Sequence, residues 1–348
     1  MLLDRLKEKL FQRYLVWLFR PARLRRFLKG ELPCNIAPMV ADKRKIRVAA
    51  LQVKLELYKN PLHYAARAHE RVKEAHRLGA QIVVFPEYNS LPLFGLLPGV
   101  DQMDNGLNTP NSSAEKPAIS PADIFNFMTP AVMPFIDTLF SRLASAYGIY
   151  IMAGSYPLAD GKDLVNRSFL YGPGGKLLGS QDKVHLLPME VEWKMKKGNC
   201  FRHFNTGFGT LAMPVCMDAT YFETFRLLEA DGVDIALLPI ANLEEYNYWL
   251  ALRGIWPRVQ ESALYGVKSA LVGNAAGFTF TGKAGIFAPL ELTSDHSGVL
   301  AETENPCGDA IAVADLNLEA LQDLRSEHPW RDKNPAILKT LNEAYRLL

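Results

Sequence analysis

IRVAALQVKLELYKNPLHYAARAHERVKEAHRLGAQIVVFPE, residues 46–87, reads as strand, helix, strand, and it sets the fold class as α/β. Ile46–Gln52 is a nearly continuous apolar run, as a buried strand requires, and the charged residues Lys43–Lys45 introduce it. Asn60-Pro61 is a good helix start; Ala65, Ala68, Val72 and Ala75 share one face, and Gly79 is the stop. Gln81–Phe85 is a second short apolar strand, delivering Pro86 and Glu87 at its end.

Downstream, residues 89–130 break this rhythm with Pro, Gly, Asn and Ser, and read as an insertion near the mouth of a site. Met133, Ile136, Phe140, Leu143 and Tyr147 mark an amphipathic helix stopped by Gly148. Strands are predicted at Ile149–Gly154, Asn166–Tyr171 and Lys176–Gly179, then at Leu211–Val215, ending at Cys216. A helix at Tyr221–Ala230 and a strand at Ile235–Pro239 follow, and Tyr246–Tyr265 reads as helical with a break at Pro257. Ser269–Asn274, Ala284–Pro289 and Ala310–Asp315 add three strands. Strand–helix units followed by runs of short strands favour helices on the outer faces of two packed sheets, in one large domain.

The 348 residues are 49% hydrophobic and 22% charged, enough to bury a substantial core. The four cysteines, at positions 34, 200, 216 and 307, form no CxxC pair, so reduced thiols in an intracellular compartment are the plain reading. Net charge is +2, but residues 1–30 carry nine Lys/Arg against Asp4 and Glu8, leaving the remainder mildly acidic. A global nucleic-acid surface is therefore not indicated. Leu3, Leu6, Leu10, Tyr14, Trp17 and Leu18 recur at helical spacing among these charges. The apolar run Tyr14–Phe19 falls short of the ~20 residues of a membrane span, and Arg13 spoils a signal peptide. Such a helix either lies on an anionic membrane surface or packs on the body or another subunit.

Four polar residues sit where α/β folds place working groups: Glu87 in PheProGluTyr, Lys183 in AspLysValHisLeuLeuPro, Glu190 seven residues later, and Cys216 in ProValCysMetAspAla. A carboxylate can deprotonate a thiol for attack on a carbonyl or nitrile carbon, and an ammonium with a backbone N–H can stabilise the resulting oxyanion. That cycle closes without metal or organic cofactor. Singly, each signal is weak: a lone Cys after a strand is usually a buried structural thiol. His185 is read as a structural hydrogen-bonding residue rather than a catalyst.

PheProGluTyr, AspLysValHisLeuLeuProMetGlu and ProValCysMetAspAlaThrTyrPheGlu, in this order and spacing, together resemble the nitrilase (carbon–nitrogen hydrolase) superfamily over roughly residues 46–315. GlyAsnAlaAlaGly at 273–277 and GlyLysAlaGlyIlePheAlaPro at 282–289 extend the likeness. The resemblance implies a four-layer αββα sandwich spanning residues 43–320, preceded by a basic amphipathic extension at 1–42 and followed by a tail and helix at 321–348. It implies Glu87 as general base, Lys183 as oxyanion-stabilising lysine, Cys216 as nucleophile and the Met217 N–H as oxyanion donor. Glu190 would orient substrate and tune the lysine, with Glu192 the weaker candidate. Homodimers or larger homo-oligomers are implied as well, with the C-terminal segment as a candidate subunit-crossing tail.

True nitrilases of this superfamily commonly follow the cysteine with Trp-Glu, whereas Cys216-Met217-Asp218 looks more like the amidase and carbamoylase branches. The expected reaction is therefore hydrolysis of an amide or N-carbamoyl bond through a thioester, with nitrile hydrolysis as the alternative. Tyr88 and Asp218 are candidate substrate-binding residues, Asp218 also having a structural reading as elbow or helix cap. Tyr246, Tyr248 and Trp249 line the pocket or belong to the core. Cytoplasmic placement is expected, and membrane attachment through residues 1–30 would favour an amphiphilic amide. A non-catalytic scaffold of the same fold would ordinarily lack one of Glu87, Lys183 or Cys216, and all are present. A metal-dependent hydrolase finds no HExxH or HxH among the seven histidines.

Overall fold

The computed structural model describes residues 2–33, 36, 42–100, 120–275 and 277–327, with isolated positions between 334 and 343. Helices α1 (Leu2–Leu18) and α2 (Pro21–Lys29) come first. They precede β1 (Ile46–Lys54), α3 (Pro61–Arg77), β2 (Ile82–Val84), α4 (Pro121–Tyr147), β3 (Tyr150–Asp160), β4 (Asp163–Tyr171) and β5 (Leu177–Asp182). The second half holds α5 (Pro188–Glu192), β6 (His203–Asn205), β7 (Thr210–Ala212), α6 (Phe222–Ala230), β8 (Ile235–Ile240), α7 (Tyr248–Leu252), α8 (Ile255–Ser262) and β9 (Tyr265–Ala275). Short strands β10 (Phe278–Phe280), β11 (Gly285–Phe287), β12 (Val299–Glu302) and β13 (Ala310–Leu316) lead to α9 (Leu318–Glu327).

Hydrogen bonding links the strands in the order β5-β4-β3-β2-β1-β9-β8-β7-β6, with β13 antiparallel to β1. Side chains alternate across this path, so each strand feeds two layers. Ile46, Val48, Ile82 and Val84 from one half meet Leu237 and Val267 from the other in a central layer. Ala49, Leu51 and Val83, on the opposite face, lie under Ala68, Val72, Leu139 and Leu143 of α3 and α4. Ala236, Leu238 and Ala270 are covered by Phe225 of α6 and Val259 of α8. The layers run helix, sheet, sheet, helix, as the αββα expectation requires. The long apolar runs make physical sense here, because β1, β2 and β8 are buried on both faces.

Local signals behave as read. Asn60 caps α3 by accepting the Leu62 N–H at 3.0 Å. Gly148 ends α4 in the left-handed region at φ 64°.

Several boundaries differ from expectation, β3 for one running on to Asp160. The segment expected as an insertion is in part helix: α4 starts at Pro121 and runs through Pro130 and Pro134, because Phe125, Met128, Ala131 and Val132 are buried and hold it together. Residues 89–95 are buried beside it in a turn, while 101–119 lie outside the described residues. The expected break at Pro257 falls instead at Arg253-Gly254, where α7 gives way to α8; Pro257 sits in the first turn of α8, where its missing N–H costs little. Tyr265 begins β9 rather than ending a helix.

The N-terminal helices rest on the body. Leu15, Phe19, Leu24 and Leu28 are buried, Phe19 meeting Phe135 of α4 edge-on at 5.3 Å. The stripe expected on one helical face is divided: Leu18 turns inward, while Leu10, Tyr14 and Trp17 are each more than half exposed, at 56%, 51% and 51%. At the other end, Arg325 of α9 binds Asp234 at 2.8 Å and the Val233 carbonyl at 2.6 Å. The expected helix at 335–348 falls largely outside the described residues. Among the described residues, no helix is long and apolar enough to cross a membrane.

Candidate active site

Glu87 follows β2 and is fully buried. Its place depends on Gly154 of β3, where a Cβ would meet the Pro86 carbonyl oxygen at 2.1 Å and φ is 83°. Only glycine lets these two backbones approach so closely. Tyr88, next in sequence, takes φ 52°, an uncommon conformation for an aromatic residue.

Lys183 stands just past β5, its N–H bonded to the Asn166 carbonyl at 2.8 Å. The ammonium reaches Glu87 Oε1 at 2.9 Å and Glu190 Oε2 at 2.8 Å, all three side chains being buried. Glu190, in α5, accepts the Leu187 N–H at 2.8 Å and the Tyr88 hydroxyl at 2.5 Å. Asn166 completes the cluster, its amide donating to Glu87 Oε1 at 2.9 Å and to Glu190 Oε1 at 3.1 Å. Glu87 Oε2 is buried and, among the described residues, has no donor at good hydrogen-bond geometry.

Cys216 follows β7 with φ 44° and opens a short helical turn, Cys216–Thr220. Strained backbone of this kind survives where its surroundings over-determine it. Asp218 is the determinant here: fully buried, it accepts the Val215 N–H at 2.9 Å and the His185 N–H at 2.7 Å, with His185 Nδ1 2.9 Å away. The turn's first internal bond runs from the Asp218 N–H to the Val215 carbonyl at 2.9 Å, so the Met217 N–H precedes it. The Cys216 thiol donates to Asn242 Oδ1 at 3.7 Å.

Burial sets the electrostatics. It pushes the Glu87 carboxyl above the ordinary glutamate value, the nearby Lys183 only partly offsetting this. Burial likewise raises the Cys216 thiol, and the Glu87 charge adds to the rise. For Lys183 burial acts downward, but Glu87 and Glu190 outweigh it and hold the ammonium protonated. The resting cluster is thus a thiol beside an unusually basic carboxylate and a fixed ammonium.

Cys216 and Met217 line a cavity of about 340 Å³ whose walls include Pro188, Met189, Asn242, Tyr246, Leu250 and Lys268. The structure brings Glu87, Lys183, Glu190 and Cys216 together, as the sequence suggested. Of the site residues only Cys216 and Met217 line the cavity; Glu87, Lys183 and Glu190 lie behind it, where Tyr88 bonds Glu190, and Asp218 bonds the cysteine turn. Glu192 is exposed. Asn166 went unread because a polar residue inside a strand, AsnArgSerPheLeuTyr, carries no motif; its burial among apolar neighbours is the only signal. Tyr246 is at the cavity, whereas Tyr248 and Trp249 are exposed on α7, Trp249 by 76%.

The carbon–nitrogen hydrolase profile matches residues 47–325, so the chain belongs to the carbon–nitrogen hydrolase family, within the nitrilase superfamily. It is 24% identical over 88% of its length to a probable hydrolase of Bacillus subtilis, of which it spans only 54%. It is 27% identical to a nitrilase of Pyrococcus abyssi, over 80% of this chain and 93% of that one, and 24% identical to an omega-amidase of Danio rerio, over 86% and 98%. In three dimensions it resembles a mutant amidase from Nesterenkonia at TM-score 0.60 and 21% identity, covering 83% of this chain and 97% of that one. Saccharomyces cerevisiae Nit3 superposes at TM-score 0.61 and 20% identity, over 86% and 99%.

Proposed function

We propose that this hydrolase cleaves an amide or N-carbamoyl carbon–nitrogen bond through a thioester on Cys216. Glu87 takes the thiol proton as sulfur attacks the carbonyl carbon, and the Lys183 ammonium with the Met217 N–H receives the oxyanion. Collapse breaks the C–N bond, and Glu87 gives its proton to the departing nitrogen, releasing ammonia or an amine. Water, deprotonated by Glu87, then attacks the thioester; collapse frees the acid and restores the thiol. Glu190 holds the Lys183 ammonium, and no cofactor enters the cycle. The observation that carries this reading is a cavity-lining Cys216 whose thiol feels the charge of a fully buried Glu87–Lys183 pair 2.9 Å apart. Ammonia release should be measured across amides, N-carbamoyl compounds and nitriles, with Cys216→Ala as blank. An acyl adduct on Cys216 by intact mass supports the proposal; wild-type release no faster than the blank overturns it.

The proposal extends to a homo-oligomer and to the membrane. Phe222 and Leu227 of α6 and Val191 of α5, at 43%, 54% and 54% exposure, support self-association. Leu10, Tyr14 and Trp17 form an outward apolar stripe on α1, and Arg23 lies over the Trp17 ring at 5.8 Å. With exposed Lys7, Arg13 and Arg20 this is a surface complementary to anionic lipid, and attachment there would favour an amphiphilic amide. Because Leu15 and Phe19 pack on the body, the clean test substitutes the stripe rather than deleting the helix. Flotation with anionic liposomes should be lost in a Leu10→Ser/Tyr14→Ser/Trp17→Ser variant; equal recovery of both proteins sinks the idea.

A further inference from the structure

The two buried carboxylates of the cluster are served unequally. On Glu190, Oε2 accepts from the Lys183 ammonium at 2.8 Å and the Leu187 N–H at 2.8 Å, and Oε1 from the Tyr88 hydroxyl at 2.5 Å and the Asn166 amide at 3.1 Å. Glu87 accepts from the Lys183 ammonium at 2.9 Å and the Asn166 amide at 2.9 Å, and both fall on Oε1. Its Oε2 is buried and, among the described residues, meets no donor at good geometry. The Cys216 thiol bears on this carboxyl as a hydrogen-bonding neighbour, and with Oε1 engaged twice the oxygen left for it is Oε2.

Besides Lys183, Asn166 alone among the described residues bonds both carboxylates. It lies inside β4 opposite Pro157 of β3, is fully buried, and its main-chain carbonyl receives the Lys183 N–H at 2.8 Å. Its own Oδ1 is buried without a partner among the described residues. An unmet amide oxygen inside a sheet costs stability, and an apolar residue of similar size would avoid that cost. The side chain is therefore there for its two N–H groups. A carboxamide does not titrate, so it donates to Glu87 at every pH of turnover.

We propose that Asn166 is the positioning residue of the base, engaging Glu87 Oε1 so that the proton taken from Cys216 rides on Oε2 alone. This rests on the hydrolase reading and assigns the route of its proton. As sulfur bonds to the carbonyl carbon, the S–H bond breaks and an O–H bond forms at Oε2. On collapse that O–H bond breaks and its proton passes to the departing nitrogen. Oε1 keeps Lys183 and Asn166 throughout, so the carboxyl does not swing between the two transfers.

Two measurements test it. A donor to an anion favours the ionised form, so removing the amide should raise the Glu87 carboxyl further. In Asn166→Ala the acid limb of kcat/KM should move to higher pH by about one unit, the worth of a hydrogen bond to a charged group. Asn166→Ser, which restores a donor, should move it less. A reduced kcat with the limb in its wild-type place is what a merely structural residue gives, and it overturns the proposal. The second measurement needs neither turnover nor a variant that folds. In wild-type protein with isotope-labelled glutamate carboxyls and asparagine side-chain amides, NMR should show the Asn166 amide and the Glu87 carboxyl titrating with one midpoint. A chain that hydrolyses no amide yet shows this shared midpoint loses the hydrolase reading and keeps Asn166 as the partner of Glu87. An Asn166 signal that stays flat while Glu87 titrates overturns the proposal.

Discussion

Asp218 accepts the main-chain N–H of His185 at 2.7 Å across 33 residues of sequence. That bond fastens the loop carrying Lys183 to the turn carrying Cys216, so ammonium and sulfur are held in register by a residue outside the cavity lining. His185 also stacks on Tyr221 at 4.1 Å, just after the same turn.

Replacing Asp218 by Ala leaves the buried Val215 and half-buried His185 N–H groups without their acceptor. Each lost bond to a charged group is worth about 1–3 kcal/mol, so a destabilisation of a few kcal/mol is expected. Activity should fall further than stability explains, because Cys216 would relax from its left-handed backbone. Urea unfolding together with kcat at a temperature where the variant is fully folded checks this; wild-type kcat in the folded variant counts against a positioning role.

The Lys183→Met variant leaves Glu87 and Glu190 facing each other in a buried site. Breaking such an ion cluster costs about 3–5 kcal/mol, and one of the two carboxyls should take up a proton on folding. Stability of this variant should therefore improve as pH falls towards 5, opposite to an ordinary surface substitution. Chemical denaturation at several pH values reads this, and a flat profile would contradict it.

With Glu87 as the base proposed above, turnover needs its carboxylate ionised, and burial raises its pKa. An acid whose pKa is raised gains its proton at higher pH, so kcat/KM should be lost, as pH falls, through a midpoint above the ordinary glutamate value of about 4.3. The Lys183 ammonium, raised by Glu87 and Glu190, should put no basic limit on the profile near neutrality. An acid limb at or below pH 4.3 would show that Glu87 is not the base.

At Gly154, alanine would press a Cβ against the Pro86 carbonyl oxygen and occupy φ 83°. The strain is about 1–3 kcal/mol before any clash, and relief by shifting Pro86 would move Glu87 with it. Gly154→Ala should thus lower both melting temperature and kcat, whereas alanine at the unobstructed Gly161 should change kcat little. Equal kcat in the two variants would remove Gly154 from the account.

The sequence by itself determined the α/β alternation, the order of the main strands and helices, and four polar residues that the structure gathers around one cavity. It could do so because β1, β2 and β8 are buried on both faces, which writes a continuous apolar run, and because Glu87, Lys183 and Cys216 sit in short local contexts. It misread what depends on remote packing. Pro130 and Pro134 look like helix breakers, yet buried Phe125, Met128 and Val132 carry α4 through them. Asn166, a polar residue inside a strand, gains meaning only when Glu87 and Glu190 converge on its amide. Tyr88 and Asp218 stand beside Glu87 and Cys216 in the chain, but their side chains are held by Glu190 and by the Val215 and His185 N–H groups, because hydrogen-bond partners, not neighbours in sequence, fix where a side chain points. The tertiary structure alone shared the donors unevenly between Glu87 and Glu190, since hydrogen bonding in a buried cluster is a sum over groups that lie far apart in the chain.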